Sequence, residues 1–421
     1  MKVFVNEKEC TLYSNDIARY VIYSASDDAQ ADVCVRIEMD KAPTKVKVRP
    51  QSAAVKPDVC KAQVKLCARL GSKLSVEFPE DDILPVFLFL YPAQTPIDLD
   101  ESVRYYAPGE YTEDELILHS GETLYLAEGA VLHAHLYAKN VENVTVCGRG
   151  IIDLGEESRK DIRKRMSRFH SSKNITFKDV TLTGSFGWCC TFWGCENILV
   201  DSVNIMTWRV TGDGIDIVGS HDAEIRNCFI RTNDDCIVLK STDYCDPDGL
   251  GNVYNVKAHG CVLWNSIYGN AIEIGFETRC EEIYNVEFYD IDIIHGEDAG
   301  WQSGGAITIH NGDRARVHDI VYRDIRVEDF LTRLFDFKVL NSQYSKDNER
   351  GVIEDILIEN VRVVDGPFPP SVLYGFEPEE HPVRRVRFVN VYADGGYIRN
   401  YLQGRMVLEK TRVISFEVTE E

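Results

Sequence analysis

From Asn174 to near the C-terminus, one short pattern of apolar and polar positions recurs. It reads NITFKDVTL (from Asn174), NILVDSVNI (Asn197), DAEIRNCFI (Asp222), NVKAHGCVL (Asn255), NVEFYDIDI (Asn285), DIVYRDIRV (Asp319), DILIENVRV (Asp355) and RVRFVNVYA (Arg385). The copies alternate apolar and polar residues, as a strand with one buried face does. Most open on Asn or Asp, and a second short strand follows about five residues on. Anchored on Val180, Val203, Cys228, Cys261, Ile291, Ile325, Val361 and Val391, the spacings are 23, 25, 33, 30, 34, 36 and 30 residues. Short strands at that period, with insertions of variable length, mark a solenoid. They lie too close together for helical crossovers, so a parallel β-helix fits better than a βαβ sheet. ENVTVCGRGIID at Glu142 and GETLYLAEGAVLHAHL at Gly121 read as earlier coils.

Residues 1–95 lack the repeat. They alternate in strands such as KVFVN, CVRIEM, KVKVRP, KLSVEF and VFLFLYP, broken by polar turns. The Pro-rich, acidic segment PAQTPIDLDES, Pro92 to Ser102, is the expected boundary. The predicted architecture is all-β: a small antiparallel β-sandwich over 1–95, then a right-handed parallel β-helix over 96–421. The best helix candidate is EESRKDIRKRMSRF, Glu156 to Phe169, whose Arg and Lys read as a solvated face.

Composition narrows the partners. The 421 residues carry a formal net charge of −22, which argues against nucleic acid or an anionic membrane and weakly against a polyanionic substrate. No apolar run approaches transmembrane length. The N-terminal stretch MKVFVNEKECTLYSND has no apolar core of a leader, so a cytoplasmic location is expected unless the chain is a processed form. The 13 cysteines are odd in number and scattered without a CxxC pair, several of them in apolar runs. They are expected as reduced, buried thiols rather than a disulfide or zinc framework.

A second pattern follows the first in each coil. WCCTFWG (Trp188), DGIDIVG (Asp213), DCIVLKS (Asp235), NAIEIGF (Asn270) and GAITIHN (Gly305) superimpose without gaps. Equivalent positions of successive coils stand about 4.8 Å apart, so Trp188, Asp213, Asp235, Asn270 and Gly305 should form a column. Asp234 stands one position before it. Asp216 and Glu273 belong to a neighbouring column with Thr191, Val238 and Thr308. A single Asp in a solenoid is readily explained as a turn cap. Three at adjacent sites raise one another's proton affinity, a cost that points to use. The chemistry such a set suits is glycoside hydrolysis, in which a protonated carboxyl donates to the leaving oxygen and an ionised one activates water. Inverting enzymes hold the two carboxyls roughly 6.5 to 9.5 Å apart, which neighbouring coils can supply. Trp188 and Trp193 are candidates for stacking on sugar rings. Metal binding is the chemical rival, since carboxylates hold hard cations; no metal and no cofactor is expected.

These residues resemble glycoside hydrolase family 28, the polygalacturonase group, and its clan relatives the family 49 dextranases. The resemblance covers about Ser102 to Glu421. The family's Asn-Thr-Asp-Gly-Ile-Asp motif reads VTGDGID here, matching at Asp213, Gly214, Ile215 and Asp216, and its Asp-Asp-Cys-Ile-Ala-Ile-Lys motif reads DDCIVLK, Asp234 to Lys240. The interval from Asp213 to Asp234 is 21 residues, as is usual in that family. The resemblance implies Asp234 as general acid, with Asp213 and Asp235 holding the water. A sandwich placed before the helix is more reminiscent of the family 49 arrangement and of some bacterial family 28-like proteins.

Two departures bear on substrate. The family's Gly-His-Gly is Gly269-Asn270-Ala271, and its Arg-Ile-Lys falls on Ile307, Thr308 and Ile309. A polyuronide loses its obvious anchor, so a neutral α-linked oligo- or polysaccharide is the expected partner. Polygalacturonase activity with a rearranged uronate site is one alternative, and a carbohydrate-binding protein without turnover is another. A lyase or epimerase would need a cation near the carboxylates, and Lys240 is the one that can be placed there. Arg279 or Arg314 is a candidate replacement cation, and His310 or His259 a candidate replacement histidine. The candidate substrate-binding set is therefore Trp188, Asp216, Lys240, Asn270, Glu273, Arg279 and His310. The insertions STDYCDPDGLGNVY and VLNSQYSKDNERG are placed to close one end of the groove. The oligomeric state stays open.

Overall fold

The computed structural model describes residues 1–26, 30–155, 165–244, 246–297, 304–377 and 380–419. The chain divides into two compact units, Met1–Asp100 and Glu101–Glu421.

The first unit is a sandwich of two five-stranded sheets. Asp32–Glu38 and Gln63–Arg69 pair antiparallel at the centre of one sheet, and their buried and exposed positions alternate. Val86–Tyr91 is buried at every position and is central to the other sheet. It pairs parallel with Arg19–Ser24, so the sandwich departs from pure antiparallel order at this one pair; the chain traverses strands of both sheets between them. Val3, Val35, Leu74 and Leu88 lie in the core between the sheets.

The second unit is a parallel β-helix in which each strand pairs with its equivalent one coil later. A typical coil runs His221–Arg226, Phe229–Thr232 and Ile237–Ser241, and the next runs Val253–His259, Val262–Asn265 and Ile272–Thr278. The alternation read from the sequence becomes stacked columns. Ile175, Ile198, Ala223, Val256, Val286, Ile320 and Ile356 pair in register along the interior. The Asn or Asp opening each copy has positive φ, for example 56° at Asn174, 58° at Asn197 and 55° at Asn255. These residue types tolerate the left-handed region better than others. Their amides also bond between coils, Asn197 Nδ2 to Asn174 Oδ1 at 2.7 Å and Asn255 Nδ2 to Asp222 Oδ1 at 2.7 Å.

Residues 156–164 of the expected helix lie outside the described residues, and its last part is extended, in the strand Ser167–His170. Among the described residues, no helix is long and apolar enough to cross a membrane.

Candidate active site

The strands that carry the second pattern form one face of the helix. Cys190 pairs with Ile215, Ile215 with Ile237, Ile237 with Ile272 and Ile272 with Ile307. Two residues earlier, the same register stacks Trp188, Asp213, Asp235, Asn270 and Gly305. Their backbones bond in series: Gly214 N donates to Asp235 O at 2.8 Å, and Cys236 N to Asn270 O at 2.9 Å. Glycine is required beside these carboxylates. A Cβ at Gly269, where φ is +65°, would lie 2.4 Å from Asp234 Oδ1; one at Gly214 would lie 2.4 Å from Cys236 O.

Asp213, Asp234 and Asp235 line one cleft of about 760 Å³, together with Trp188 and Lys240. Lys240 is the centre of charge. Its Nζ stands 2.9 Å from Asp213 Oδ2, 3.2 Å from Asp216 Oδ1 and 3.9 Å from Asp235 Oδ2, and 3.9 Å over the Trp188 ring. Burial opposes its charge, but Asp213 and Asp216 outweigh that and hold the ammonium well above the usual lysine range. With these contacts close around it, Lys240 organises the carboxylates more than it faces a ligand.

Asn270 completes the support. Its Nδ2 donates to Asp235 Oδ1 at 2.9 Å, and its Oδ1 accepts from Gly305 N at 2.9 Å. The carboxyls respond to burial and to each other. Desolvation, then Asp213, pushes Asp235 up to about 8. Desolvation, then Asp213 and Asp235, raises Asp234 well above the ordinary carboxyl range. Among the described residues, Asp213 Oδ1 is buried without a hydrogen-bond partner.

Several expected substrate contacts are displaced by the structure. Asp216 and Glu273 are fully buried, and Asn270 is nearly so. Asp216 and Glu273 alternate with the inward Ile215, Ile217, Ile272 and Ile274 on their strands, and Asn270 lies just before the second of these strands; other groups cover all three, which do not line the cleft. His310 is also fully buried, with Nδ1 3.0 Å from Glu273 Oε2 and Nε2 3.3 Å from Asp336 Oδ2. The Phe276 ring covers it at 4.4 Å. Burial lowers the His310 proton affinity, but Glu273 and Asp336 more than reverse this and carry its pKa up to about 9. Arg279 does not line the cleft; it pairs with Asp243 and, at 3.4 Å, with Asp347. His259 bonds Glu224 at 3.0 Å and stacks on Tyr289, and it too is absent from the lining.

Sequence reasoning missed His170, Arg165, Phe276, Glu277, Tyr344 and Lys346, all of which line the cleft. The register offered a signal for one of them, since His170 pairs with Trp193 along the same face. Burial lowers His170 to about 4. His170, Asp246 and Asp248 are spaced as metal ligands would be, but Lys139 pairs with Asp246 at 3.4 Å and with Asp248 at 2.8 Å.

The family model of glycosyl hydrolases family 28 matches residues 127–367. The chain belongs to that family. A polygalacturonase of Juniperus ashei is 37% identical over 70 residues, 16% of this chain and 14% of the relative. The matched segment thus spans about one-seventh of that relative's length. Dex49A from Penicillium minioluteum superimposes with a TM-score of 0.63 at 14% identity, over 94% of this chain and 83% of its own. An exopolygalacturonase from Thermotoga maritima does so with a TM-score of 0.55 at 15% identity, over 74% and 84%. These structural likenesses establish the fold, the parallel β-helix.

Proposed function

We propose that this family 28 member is an inverting glycoside hydrolase that cleaves an α-linked oligo- or polysaccharide. The observation that carries the reading is the convergence of Asp213, Asp234 and Asp235 on one cleft around a buried ammonium. Asp234, kept protonated by burial and by its acidic neighbours, donates to the glycosidic oxygen as the C–O bond breaks. Asp213, ion-paired with Lys240, takes the proton of a water that attacks the anomeric carbon from the opposite face; Asp235 shares that water. One water is consumed, each fragment gains a hydroxyl, and solvent exchange returns the carboxyls to their starting states.

A neutral sugar is supported by Ile307, Thr308 and Ile309, which offer no cation and are buried. A uronate chain is the second reading, favoured by Arg165, Arg168 and Lys346 in the cleft lining. Arg168 is already paired with Glu115 at 2.5 Å, which weakens that alternative.

Product chromatography after incubation with two panels separates the readings: galacturonate oligomers, and neutral α-linked gluco-, galacto- and rhamno-oligosaccharides. Asp234→Asn should lower kcat by about 10²–10⁴-fold with little change in melting temperature. Cleavage of a neutral sugar, lost in that variant, is the expected result. Cleavage of galacturonate alone would transfer the mechanism to the uronate reading. Turnover undiminished in Asp234→Asn would remove the acid from the scheme.

A further inference from the structure

Resting on the hydrolase reading, we infer that the cleft is closed just beyond the catalytic coils, so that the protein acts from one end of a sugar chain and releases a mono- or disaccharide. The strands of the helix line the cleft from the one bearing Tyr137 to the one bearing Phe276 and Glu277, and beyond that point it is lined by Gln343, Tyr344 and Lys346 of a later loop. No residue of the next two strands on that face, Ile307–Asn311 and Phe335–Val339, lines it.

The closure is a pile of rings and a latched loop. Phe276 lies over His310 at 4.4 Å with the rings 11° from parallel, and Tyr344 stands 5.5 Å from Phe276. Tyr344 belongs to the segment 340–351, which follows the strand Phe335–Val339 and folds back over the preceding coil. The backbone N–H groups of Lys346 and Asp347 donate to Asp313 Oδ1 at 2.7 and 2.8 Å. Arg350 Nη1 donates to Gly312 O.

Arg279 then ties this loop to the other insertion. It pairs with Asp347 on one side and with Asp243 on the other, while Arg314 holds Asp347 at 2.6 Å. The insertion containing Asp243 continues to Asp246 and Asp248, which pair with Lys139, and so walls the cleft back towards its earlier coils. Arg279 thus joins the two loops, and Tyr344 of the later one meets Phe276 on the floor of the cleft.

Length decides the consequence. Coils advance by about 4.8 Å, close to the length of one pyranose residue. Asp213 and Asp235 occupy neighbouring coils, and a single coil, that of Gly269 and Phe276, separates them from the closure. One or two sugar residues fit on that side, whereas three earlier strands, Ala130–Lys139, Ser167–His170 and Cys190–Trp193, extend the other arm.

The test uses the full chain and the two oligosaccharide panels in graded lengths. First-turnover products of the wild type should be a mono- or disaccharide plus the shortened parent. Arg279→Ala, and separately Tyr344→Gly, should raise the fraction of internal-cleavage products at least about fivefold. In parallel, calorimetry on Asp234→Asn should detect oligosaccharides carrying a bulky fluorophore at one terminus and not at the other. Internal products from the wild type, or equal binding of both labelled forms, would overturn the closed end and leave the hydrolase reading standing. Neither hydrolysis nor binding of any panel member would overturn the hydrolase reading, and this inference with it.

Discussion

Asp234 and Asp235 are neighbours in the chain with different surroundings. Asp235 is tied to Asn270 and faces Lys240, whereas the backbone carbonyl of Asp234 is held by Thr232 Oγ1 and Asn265 Nδ2 at 2.6 and 2.8 Å. The Asp234 side chain lines the cleft, with Oδ1 accepting from Asp235 N at 3.1 Å, and its Oδ2 is consistent with the proposed donor role. His310 provides a test of the buried charges below. Its folded pKa of about 9 lies above the ordinary value of 6.5, so the folded state binds the extra proton between those values. Its stabilisation is therefore full below pH 6.5 and is lost as pH rises through about 9. The amount is on the order of 3 kcal/mol. Urea denaturation across pH 6 to 10 should show that decline in the wild type, and His310→Gln should be less stable at pH 6 and fall less steeply as pH rises to about 9. Parallel curves for the two proteins would mean that His310 does not carry the proton.

At the scale of the strand, the Asn and Asp that open each repeat do two jobs. They accept a left-handed backbone conformation and they bond the coil before or after, as Asn255 does to Asp222 and Asn285 Nδ2 does to Asn255 Oδ1 at 2.6 Å. Asn255→Ala loses both contributions at an exposed position. The left-handed conformation costs an ordinary residue about 1–2 kcal/mol, and an unmade hydrogen bond adds about 1 kcal/mol. A fall in stability of about 2 kcal/mol in urea denaturation is expected, with the carbohydrate chemistry unchanged. A loss below about 0.5 kcal/mol would show that the ladder contributes little. The repeat was legible because this requirement recurs in every coil. The expected helix was not borne by the described part of its segment, since Ser167–His170 pairs in register with Cys190–Trp193 and tertiary pairing overrides local preference there.

At the scale of the whole molecule, the buried cores of the two units share no residue among those described. Ile320 is fully buried in the interior column of the second unit, between Val286 and Ile356. Ile320→Ala should cost about 2–5 kcal/mol through lost transfer energy and a residual cavity. Scanning calorimetry should show the transition of the second unit shifted down and that of the first unmoved. A shift of both would mean that the units unfold as one.

The sequence by itself determined the solenoid, the register of its coils and the column of Asp213, Asp235 and Asn270, because each depends on periodic, short-range rules that every coil repeats. It also supplied the family motifs that mark Asp234 and Lys240. Only the tertiary structure decided which polar side chains reach the cleft. Glu273 and His310 share the strand face that carries Lys240, yet both are covered, because Phe276 lies over His310 and the loop bearing Tyr344 folds back from two strands further on. Arg279 was drawn out of the candidate site by Asp243 and Asp347, acidic partners on insertions 36 and 68 residues away in sequence. Such contacts follow from where irregular loops land. That depends on packing across many coils, and no local pattern encodes it.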